Sequence, residues 1–358
     1  MRDFAVPALP TRVAFGSGRL ASLRDELTNT GLGPAVLLCT ASGRELAHRV
    51  AAELPEATVG VFDQARMHVP RATVEAARKA AASLGAEACI AVGGGSAVGL
   101  AKALALEAAL PYMAVPTTYS GSEMTAVWGI TEAREKTTGR DERVRPRAVV
   151  YDPDLTASLS AGVSVTSGVN AIAHAAEALY APDRSPLTDL MAREAVRAMT
   201  AALPGVAERP DAPGARSSAL YAAWLCGTCL GMTTMSLHHK LCHVLGGALD
   251  LPHAPTHAVL LPHVLAFNLT AAPEARELLA QALDDDDPPA HLWRLNQTLG
   301  VPASLRELGA DRADLATANV QTLAVPYPNP RPVDRNDLDR LLSAAFAGDA
   351  PPGLSCRA

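Results

Sequence analysis

The pattern of hydrophobic and polar positions divides the chain into two parts near residue 152. Before it, short apolar runs alternate with helical stretches, and the runs lie at residues 13–15, 35–39, 58–62, 89–92, 113–115 and 148–151. Such alternation predicts βαβ units around a mostly parallel sheet. After Asp152-Pro153 the chain is rich in Ala and Leu, is broken by Pro and Gly, and has no run typical of a strand. We therefore predict an α/β domain over residues 1–152 and an all-helical domain over residues 153–358.

One segment of the second part has the length of a membrane span. Residues 219–237 contain no charge, but they include several Gly, Thr and Ser residues. A helix that is apolar all round in a large protein is typically a core helix, so we predict no membrane association. The first residues lack the apolar stretch of a secretory signal, and the six cysteines form no disulfide framework. These features together predict a cytoplasmic location.

Composition agrees with two ordinary domains. The chain has 358 residues, 49% of them hydrophobic, and a net charge of −6, which supports two large cores. No dense stripe of Lys or Arg is present, so we expect no nucleic-acid partner. Residues 134–147 are basic but interleaved with acids, and we predict mainly a solvated loop there. The acidic run Asp284 to Asp287 predicts a loop and a helix boundary.

A glycine turn in the first part predicts phosphate binding. The strand ending at Val92 is followed by Gly93, Gly94, Gly95 and Ser96 and then by a helix. A strand, a glycine turn and a helix N-terminus together present backbone N–H groups to an anion, although a plain tight turn has the same sequence. A second segment after an apolar run offers hydroxyls from Thr117, Thr118 and Ser120. Neither a Walker motif nor a GxGxxG fingerprint is present, so an ordinary P-loop or Rossmann site is excluded.

Histidines concentrate in the second part. Six of the ten lie between residues 238 and 263, and Asn170 and His174 stand upstream at the i, i+4 spacing that places them on one helical face. His239 and His243 have the same spacing, Gly246-Gly247 is expected to end their helix, and His253 follows in a loop. With Asp at position 170 this set would suit a divalent metal, but Asn offers only a neutral carbonyl. Lys240 adds a positive charge, so the pattern predicts the geometry of a metal site without the metal; buried, hydrogen-bonded histidines are the simpler alternative.

Several long motifs carry a family resemblance. GGGSAVGLAK, PTTYSGSE, VYDPDLT, GVNAIAHAAEALY and HHKLCHVLGGALDLPHAPTHAVLLPHVLAFN resemble, in this order, the iron-containing alcohol dehydrogenase family. The resemblance covers nearly the whole chain and implies a dehydroquinate-synthase-like fold, with a nucleotide-binding N-terminal domain and a helical catalytic domain. Within the family, Asn170, Gly99 and His238-His239-Lys240 are most similar to the maleylacetate reductase subgroup.

The resemblance implies a reaction and a set of roles. It implies the reduction of maleylacetate, a small dicarboxylate, to 3-oxoadipate by NADH or NADPH, without a required metal and in a homodimer. The expected catalytic residues are His243, as proton donor or oxyanion stabiliser, Lys240, as carboxylate or enolate ligand, and His239, His253, His174 and Tyr327. The alternatives are a surface lysine at position 240 and a structural aromatic at position 327. His257 and His263 are expected to support them.

The cofactor contacts are expected from residues 93–96 and from Thr117, Thr118 and Ser120, with the adenosine ribose near Thr40. No carboxylate that would favour the 2′-hydroxyl of NADH is expected near Thr40, and only Arg44 is there to favour the 2′-phosphate of NADPH. The sequence therefore leaves both cofactors open. Two alternatives also stay open: a metal-dependent alcohol dehydrogenase of the same family, and a non-enzymatic metal- or nucleotide-binding protein.

Overall fold

The computed structural model describes residues 4–6, 11–133 and 135–353. Of these, residues 11–133, 135–159 and 211–220 form one compact unit, and residues 4–6, 160–210 and 221–353 form the other. The predicted boundary at residue 152 lies several residues before the observed one, which falls between residues 159 and 160. The first unit extends further because Leu155, in the short 3-10 turn Pro153–Thr156, packs into its hydrophobic core.

The first unit is built on a six-stranded parallel sheet. Its strands, in the spatial order β1-β8-β5-β4-β2-β3, are β1 (Arg12–Phe15), β8 (Ala148–Tyr151), β5 (Tyr112–Pro116), β4 (Ala88–Gly93), β2 (Ala35–Leu38) and β3 (Thr58–Phe62). All residues of β2, β5 and β8 are buried, as expected of parallel strands covered on both faces. The helices of this unit are α1 (Leu23–Thr30), α2 (Arg44–Glu53), α3 (Arg71–Ser83) and α4 (Gly95–Ala108). The predicted parallel sheet is confirmed.

An antiparallel hairpin replaces much of the predicted solvated loop. β6 (Val127–Glu132) pairs with β7 (Glu135–Arg140), and a 3-10 turn follows at Glu142–Val144. The loop prediction is therefore wrong for residues 135–140, while Arg134 lies outside the described residues. Tertiary contacts override the charged composition here, since Val144 is fully buried and the Arg145 guanidinium donates to the Met124 carbonyl at 2.9 Å.

The second unit is helical, as predicted. Its helices are α5 (Ala161–Ala178), α6 (Pro186–Glu208), α7 (Pro213–Met232), α8 (Leu237–Leu249), α9 (His253–Asn268), α10 (Pro273–Leu283), α11 (Pro288–Thr298), α12 (Arg312–Leu323) and α13 (Arg335–Ala347), although the first residues of α7 belong to the other unit. The run Asp284 to Asp287 separates α10 from α11, which confirms the predicted boundary.

Two helix ends differ from the prediction. The apolar segment 219–237 is not one helix, because α7 ends at Met232 and α8 begins at Leu237. Gly246-Gly247 does not end α8, which continues to Leu249 and stops at Asp250, whose φ is 54°. In the described chain no single helix is long and apolar enough to cross a membrane; α7 and α8 reach that length and apolarity only as a pair bent by 96°.

Candidate active site

Three helices of the second unit bring the predicted histidines together. α5 carries Asn170 and His174 one turn apart, both buried, while α8 carries His239 and His243. The ring centroids of His174 and His239 are 5.0 Å apart, and those of His239 and His243 are 6.2 Å apart. His253 begins α9 instead of lying in a loop. The i, i+4 spacing therefore predicted correctly which of these side chains share a helical face.

His257 lies at the centre of the group. Its ring centroid is 4.3 Å from that of His253 and 4.9 Å from that of His239, and its Nδ1 lies 3.0 Å from His238 Nε2. We name the rings of His174, His239, His243, His253 and His257 the histidine cluster. His263 lies outside this cluster on the C-terminal half of α9, and its pKa is lowered to about 4 by burial.

The histidine cluster has a buried floor and an exposed edge. His174, His239 and His257 are buried, whereas His243 and His253 are exposed and stack with an interplanar angle of 19° at 6.2 Å. Burial is the main cause that lowers the pKa values of His174 and His257, reinforced by neighbouring histidines. These two rings are therefore neutral near pH 7, and a small molecule arriving at the cluster meets His243 and His253 first.

A buried carboxylate supports the cluster, and the sequence reasoning missed it. Glu177 is fully buried on α5, and its carboxylate accepts from His239 Nδ1 at 2.7 Å and from the backbone N–H of Ser236 and His238 at 3.0 and 2.8 Å. Burial alone would raise the pKa of Glu177, but the hydrogen bond and charge of His239 bring it below its ordinary value. Because a carboxylate only accepts, Nδ1 of His239 carries a proton, which leaves its Nε2 for a ligand. The available signal was a carboxylate three residues after His174 on the same helix.

Several buried polar atoms in or beside the histidine cluster have no hydrogen-bond partner in the described protein. They are Asn170 Oδ1, His174 Nδ1, His239 Nε2 and His257 Nε2. Native proteins satisfy nearly all such groups, so a concentration of unpartnered ones indicates a binding site for a polar molecule. The arrangement can hydrogen-bond a polar ligand and transfer a proton to it.

The metal that the family name implies does not fit these residues as they are arranged. Asn170 supplies a neutral oxygen where a carboxylate would balance the charge of the ion, and both Glu177 oxygens are already engaged. Among the His, Cys, Asp and Glu side chains of the described chain, the only group of three with donor atoms within 4.8 Å of one another is His238, Cys242 and His257. That group contains no member of the predicted set, Asn170, His174, His239, His243 and His253. Two of its members already form the His238–His257 hydrogen bond.

Two further predicted residues occupy different surroundings. Lys240 is half-buried on α8, and among the described residues no hydrogen bond or ion pair joins its ammonium group to the cluster. Tyr327 packs against the core that includes Leu237 and Leu241 of α8, and its buried hydroxyl has no partner among the described residues. Burial and the charge of Glu177 raise the pKa of Tyr327 to about 12. The phenol therefore remains protonated and can donate.

The predicted phosphate site lies in the first unit. Gly93 ends β4 with φ 145°, and α4 begins at Gly95 with no side-chain cap on its first turn. The first N–H groups of α4 can therefore bind an anion. A Cβ at Gly94 would lie 2.7 Å from Thr118 Oγ1, whereas one at Gly95 would approach only Ser120 Oγ, at 3.9 Å. Residue 94 must therefore be glycine so that the loop carrying Thr118 can pack against it. Gly95, beside Ser96, borders open space.

A buried lysine holds the hydroxyl-bearing loop and was also missed. Lys102 Nζ donates to the carbonyls of Ser122 and Val127, each at 2.7 Å, and to Thr125 Oγ1 at 2.8 Å. Burial lowers its pKa to about 7. The loop that follows Thr117, Thr118 and Ser120 is therefore fixed by α4, the same helix that would bind the phosphate.

The end of β2 differs from expectation in one respect. Thr40 Oγ1 hydrogen-bonds Ser42 Oγ at 3.0 Å, in the turn that follows the strand. A carboxylate does lie nearby, because Asp63 follows the neighbouring strand β3 and pairs with Arg44. The expectation that no carboxylate lies there is wrong, since residues 40 and 63 are adjacent only through the sheet order.

Comparisons with known proteins agree with this architecture. Residues 10–153 match the family model for iron-containing alcohol dehydrogenase, and residues 164–346 match the model for the C-terminal part of the Fe-containing alcohol dehydrogenase family. The chain is 48% identical to maleylacetate reductase from Pseudomonas sp. strain P51 and 49% identical to that from Sphingobium indicum, over 98% of this chain and 99% of each relative. A crystal structure of maleylacetate reductase from Agrobacterium tumefaciens superposes with a TM-score of 0.94 at 45% identity, covering 98% of this chain and all of the other. The chain belongs to the iron-containing alcohol dehydrogenase family.

Proposed function

We propose that this protein reduces maleylacetate to 3-oxoadipate with a nicotinamide cofactor. The proposal rests on the 48–49% identity with maleylacetate reductases over 98% of the chain. Asn170 supports it, because the cluster then offers a substrate hydrogen-bonding groups but no free carboxylate to balance a divalent cation. A homodimer and a cytoplasmic location remain predictions.

The substrate chemistry explains why hydrogen-bond donors suffice. Maleylacetate is a dicarboxylate with a carbon–carbon double bond conjugated to a ketone. Hydride adds to the alkene carbon β to the ketone, the π electrons move to the ketone oxygen as an enolate, and a proton added at the α carbon gives 3-oxoadipate. The negative charge of the enolate can be stabilised by hydrogen-bond donors placed at the oxygen.

The cofactor, when bound, supplies the hydride. We assign its phosphate to the N–H groups of Gly95 and Ser96, with Gly93 and Gly94 shaping the turn, and further contacts to Thr117, Thr118 and Ser120. Thr40 is assigned to the ribose.

The protein groups at the substrate have separate roles in this proposal. His243, at the exposed edge, donates the one proton that the α carbon takes up, and His253 beside it donates a hydrogen bond to the enolate oxygen. His239, held by Glu177 with its Nε2 as an acceptor, borders the substrate together with His174. Lys240 binds a carboxylate through a charge-assisted hydrogen bond, which requires its flexible side chain to swing toward the ligand. Tyr327 donates its hydroxyl. We further propose that none of these roles needs a metal.

The test is an assay of NADH and NADPH oxidation with maleylacetate, in which the product is identified by mass spectrometry. We expect 3-oxoadipate in a one-to-one ratio with the oxidised cofactor. Turnover of simple aldehydes or ketones with no reaction on maleylacetate would instead support an alcohol dehydrogenase, and no cofactor oxidation with any of them would support a non-enzymatic protein.

A further inference from the structure

A reciprocal amide pair connects the end of α9 to the segment that carries Tyr327. The side-chain amide of Asn268 donates to Asn329 Oδ1 at 2.9 Å, and the amide of Asn329 donates to Asn268 Oδ1 at 2.8 Å. The remaining amide hydrogen of Asn329 is donated to the Arg331 carbonyl at 2.9 Å. Asn268 is fully buried. Both ends of the pair are thus satisfied, which fixes the orientation of the two side chains.

The pair continues a polar chain that starts at the carboxylate beneath the histidine cluster. Tyr180 donates to Glu177 Oε1 at 3.4 Å, and the side chain of Asn268 hydrogen-bonds the Tyr180 hydroxyl. The chain therefore runs from Glu177 through Tyr180 and Asn268 to Asn329. Buried networks in which every member is satisfied hold their parts in one arrangement.

The segment around Asn329 is restrained on both sides. Pro328 and Pro330 flank it and fix their own φ angles. The Arg331 guanidinium stacks 4.2 Å above the ring of Phe267, the residue before Asn268. The segment 327–331 is therefore attached to the C-terminal end of α9 through Asn329 and Arg331.

Tyr327 begins this segment, and its hydroxyl is buried without a partner in the described protein. An unpartnered hydroxyl is costly unless a ligand completes it. Its pKa is raised, so it carries a proton to donate. The ring packs on the core that α8 shares with α9, α12 and α13.

We propose that Asn268 and Asn329 are positioning residues that hold the Tyr327 hydroxyl where it donates a hydrogen bond to an oxygen of the substrate. This inference rests on the proposed function, because it takes the substrate to be an oxygen-rich anion. The pair does not touch the substrate; it acts through Tyr327 alone. Damage to the pair must therefore have no further effect once the hydroxyl is gone.

The first experiment is a double-mutant cycle on kcat/KM for maleylacetate with Tyr327→Phe, Asn329→Ala and both changes together. Loss of one hydrogen bond to developing charge predicts a fall of about tenfold for each single variant. The double variant is expected to fall by the same tenfold and no further, with an unchanged KM for the nicotinamide cofactor. A product of the two single losses, near a hundredfold, would overturn the proposal.

The matched control is Asn319→Ala. Asn319 is buried in the same unit and its amide donates to Asp339, joining α12 to α13. It is expected to lower the thermal midpoint as much as Asn329→Ala while leaving kcat/KM unchanged. Asn268→Ser breaks the pair from the other side, so it must reproduce the kinetic pattern of Asn329→Ala if either variant folds poorly.

A second readout is independent of turnover. In protein labelled with 3-fluorotyrosine, the chain's six tyrosines give six fluorine signals, and Tyr327→Phe identifies the signal of Tyr327. Asn329→Ala is expected to shift that signal and Asn319→Ala to leave it in place. An unmoved signal overturns the positioning role. A wild type that forms no 3-oxoadipate overturns the proposed function and the role of Tyr327 on this substrate, whichever way the fluorine signal behaves.

Discussion

The histidine cluster and the glycine turn differ in the groups that they present to a ligand: side chains in the cluster and backbone N–H groups in the turn. The cluster presents side chains, several of them buried with unpartnered nitrogens, on helices that Glu177 ties together. The turn presents backbone N–H groups where side chains are absent, while Lys102 holds the neighbouring loop. Changes in the two regions should therefore separate kinetically: the cluster should govern turnover of the substrate and the turn should govern affinity for the cofactor.

Removing the charge of Lys240 should have the largest effect on the substrate side. Lys240→Met keeps the apolar stem, and loss of a charged hydrogen bond of about 2–4 kcal/mol predicts a fall of roughly 30- to 1000-fold in kcat/KM for maleylacetate. Lys79→Met, on the exposed surface of α3, serves as the control. A near-normal kcat/KM would mean that Lys240 does not contact the substrate. The proposed substrate site would then lack its main cation.

Glu177→Gln tests the support beneath the cluster. The amide keeps the shape but cannot hold the proton of His239 Nδ1 by charge, so we expect kcat to fall by about 10- to 100-fold, as for other residues that orient an imidazole. Cofactor KM should not change. Glu26→Gln, which alters a carboxylate paired with Arg12 in the other unit, should lower stability and spare kcat. Equal kinetic effects of both changes would argue that Glu177 acts only on folding.

Gly95→Ala tests the turn with a minimal obstruction. A Cβ there meets no protein atom closer than 3.9 Å, so folding should be intact, but it would stand between the first N–H groups of α4 and a phosphate. We expect cofactor KM to rise by about tenfold, the loss of one good anion contact, with little change in kcat. Gly162→Ala, in open space near the start of α5, is the control. A change in kcat without a change in cofactor KM would contradict the assignment.

A more modest effect concerns stability toward acid. The folded pKa of His263 lies below its unfolded value, so its stabilising contribution is complete above about pH 6.5 and is lost as pH falls toward about 4. His263→Gln should remove roughly 2 kcal/mol of that pH dependence, measured by urea unfolding between pH 7 and pH 4.5. His48→Gln, at an exposed position, should leave the slope unchanged. If the free energy of unfolding depends on pH in the same way in the His263 variant as in the wild type, other groups cause the acid sensitivity.

Local patterns predicted most of the fold and the identity of the cluster. Apolar runs predicted the six strands of the parallel sheet but not β6 and β7, and the i, i+4 spacing placed Asn170, His174, His239 and His243. Contacts between residues distant in sequence could not be predicted in this way. Glu177 matters because it accepts from the start of α8, 59 or more positions along the chain, and Asp63 reaches Arg44 only through the order of the strands. Gly246-Gly247 failed as a stop because tertiary packing of α8 outweighs the modest helix cost of glycine.

In the proposed mechanism, hydrogen-bonding side chains support the reduction of maleylacetate without a metal. The decisive measurement is the initial rate of cofactor oxidation with maleylacetate before and after exhaustive chelation, with the metal content of both samples determined. We expect an unchanged rate and far less than one metal ion per chain. Loss of most activity on chelation, restored by Fe²⁺ or Zn²⁺, would contradict the mechanism.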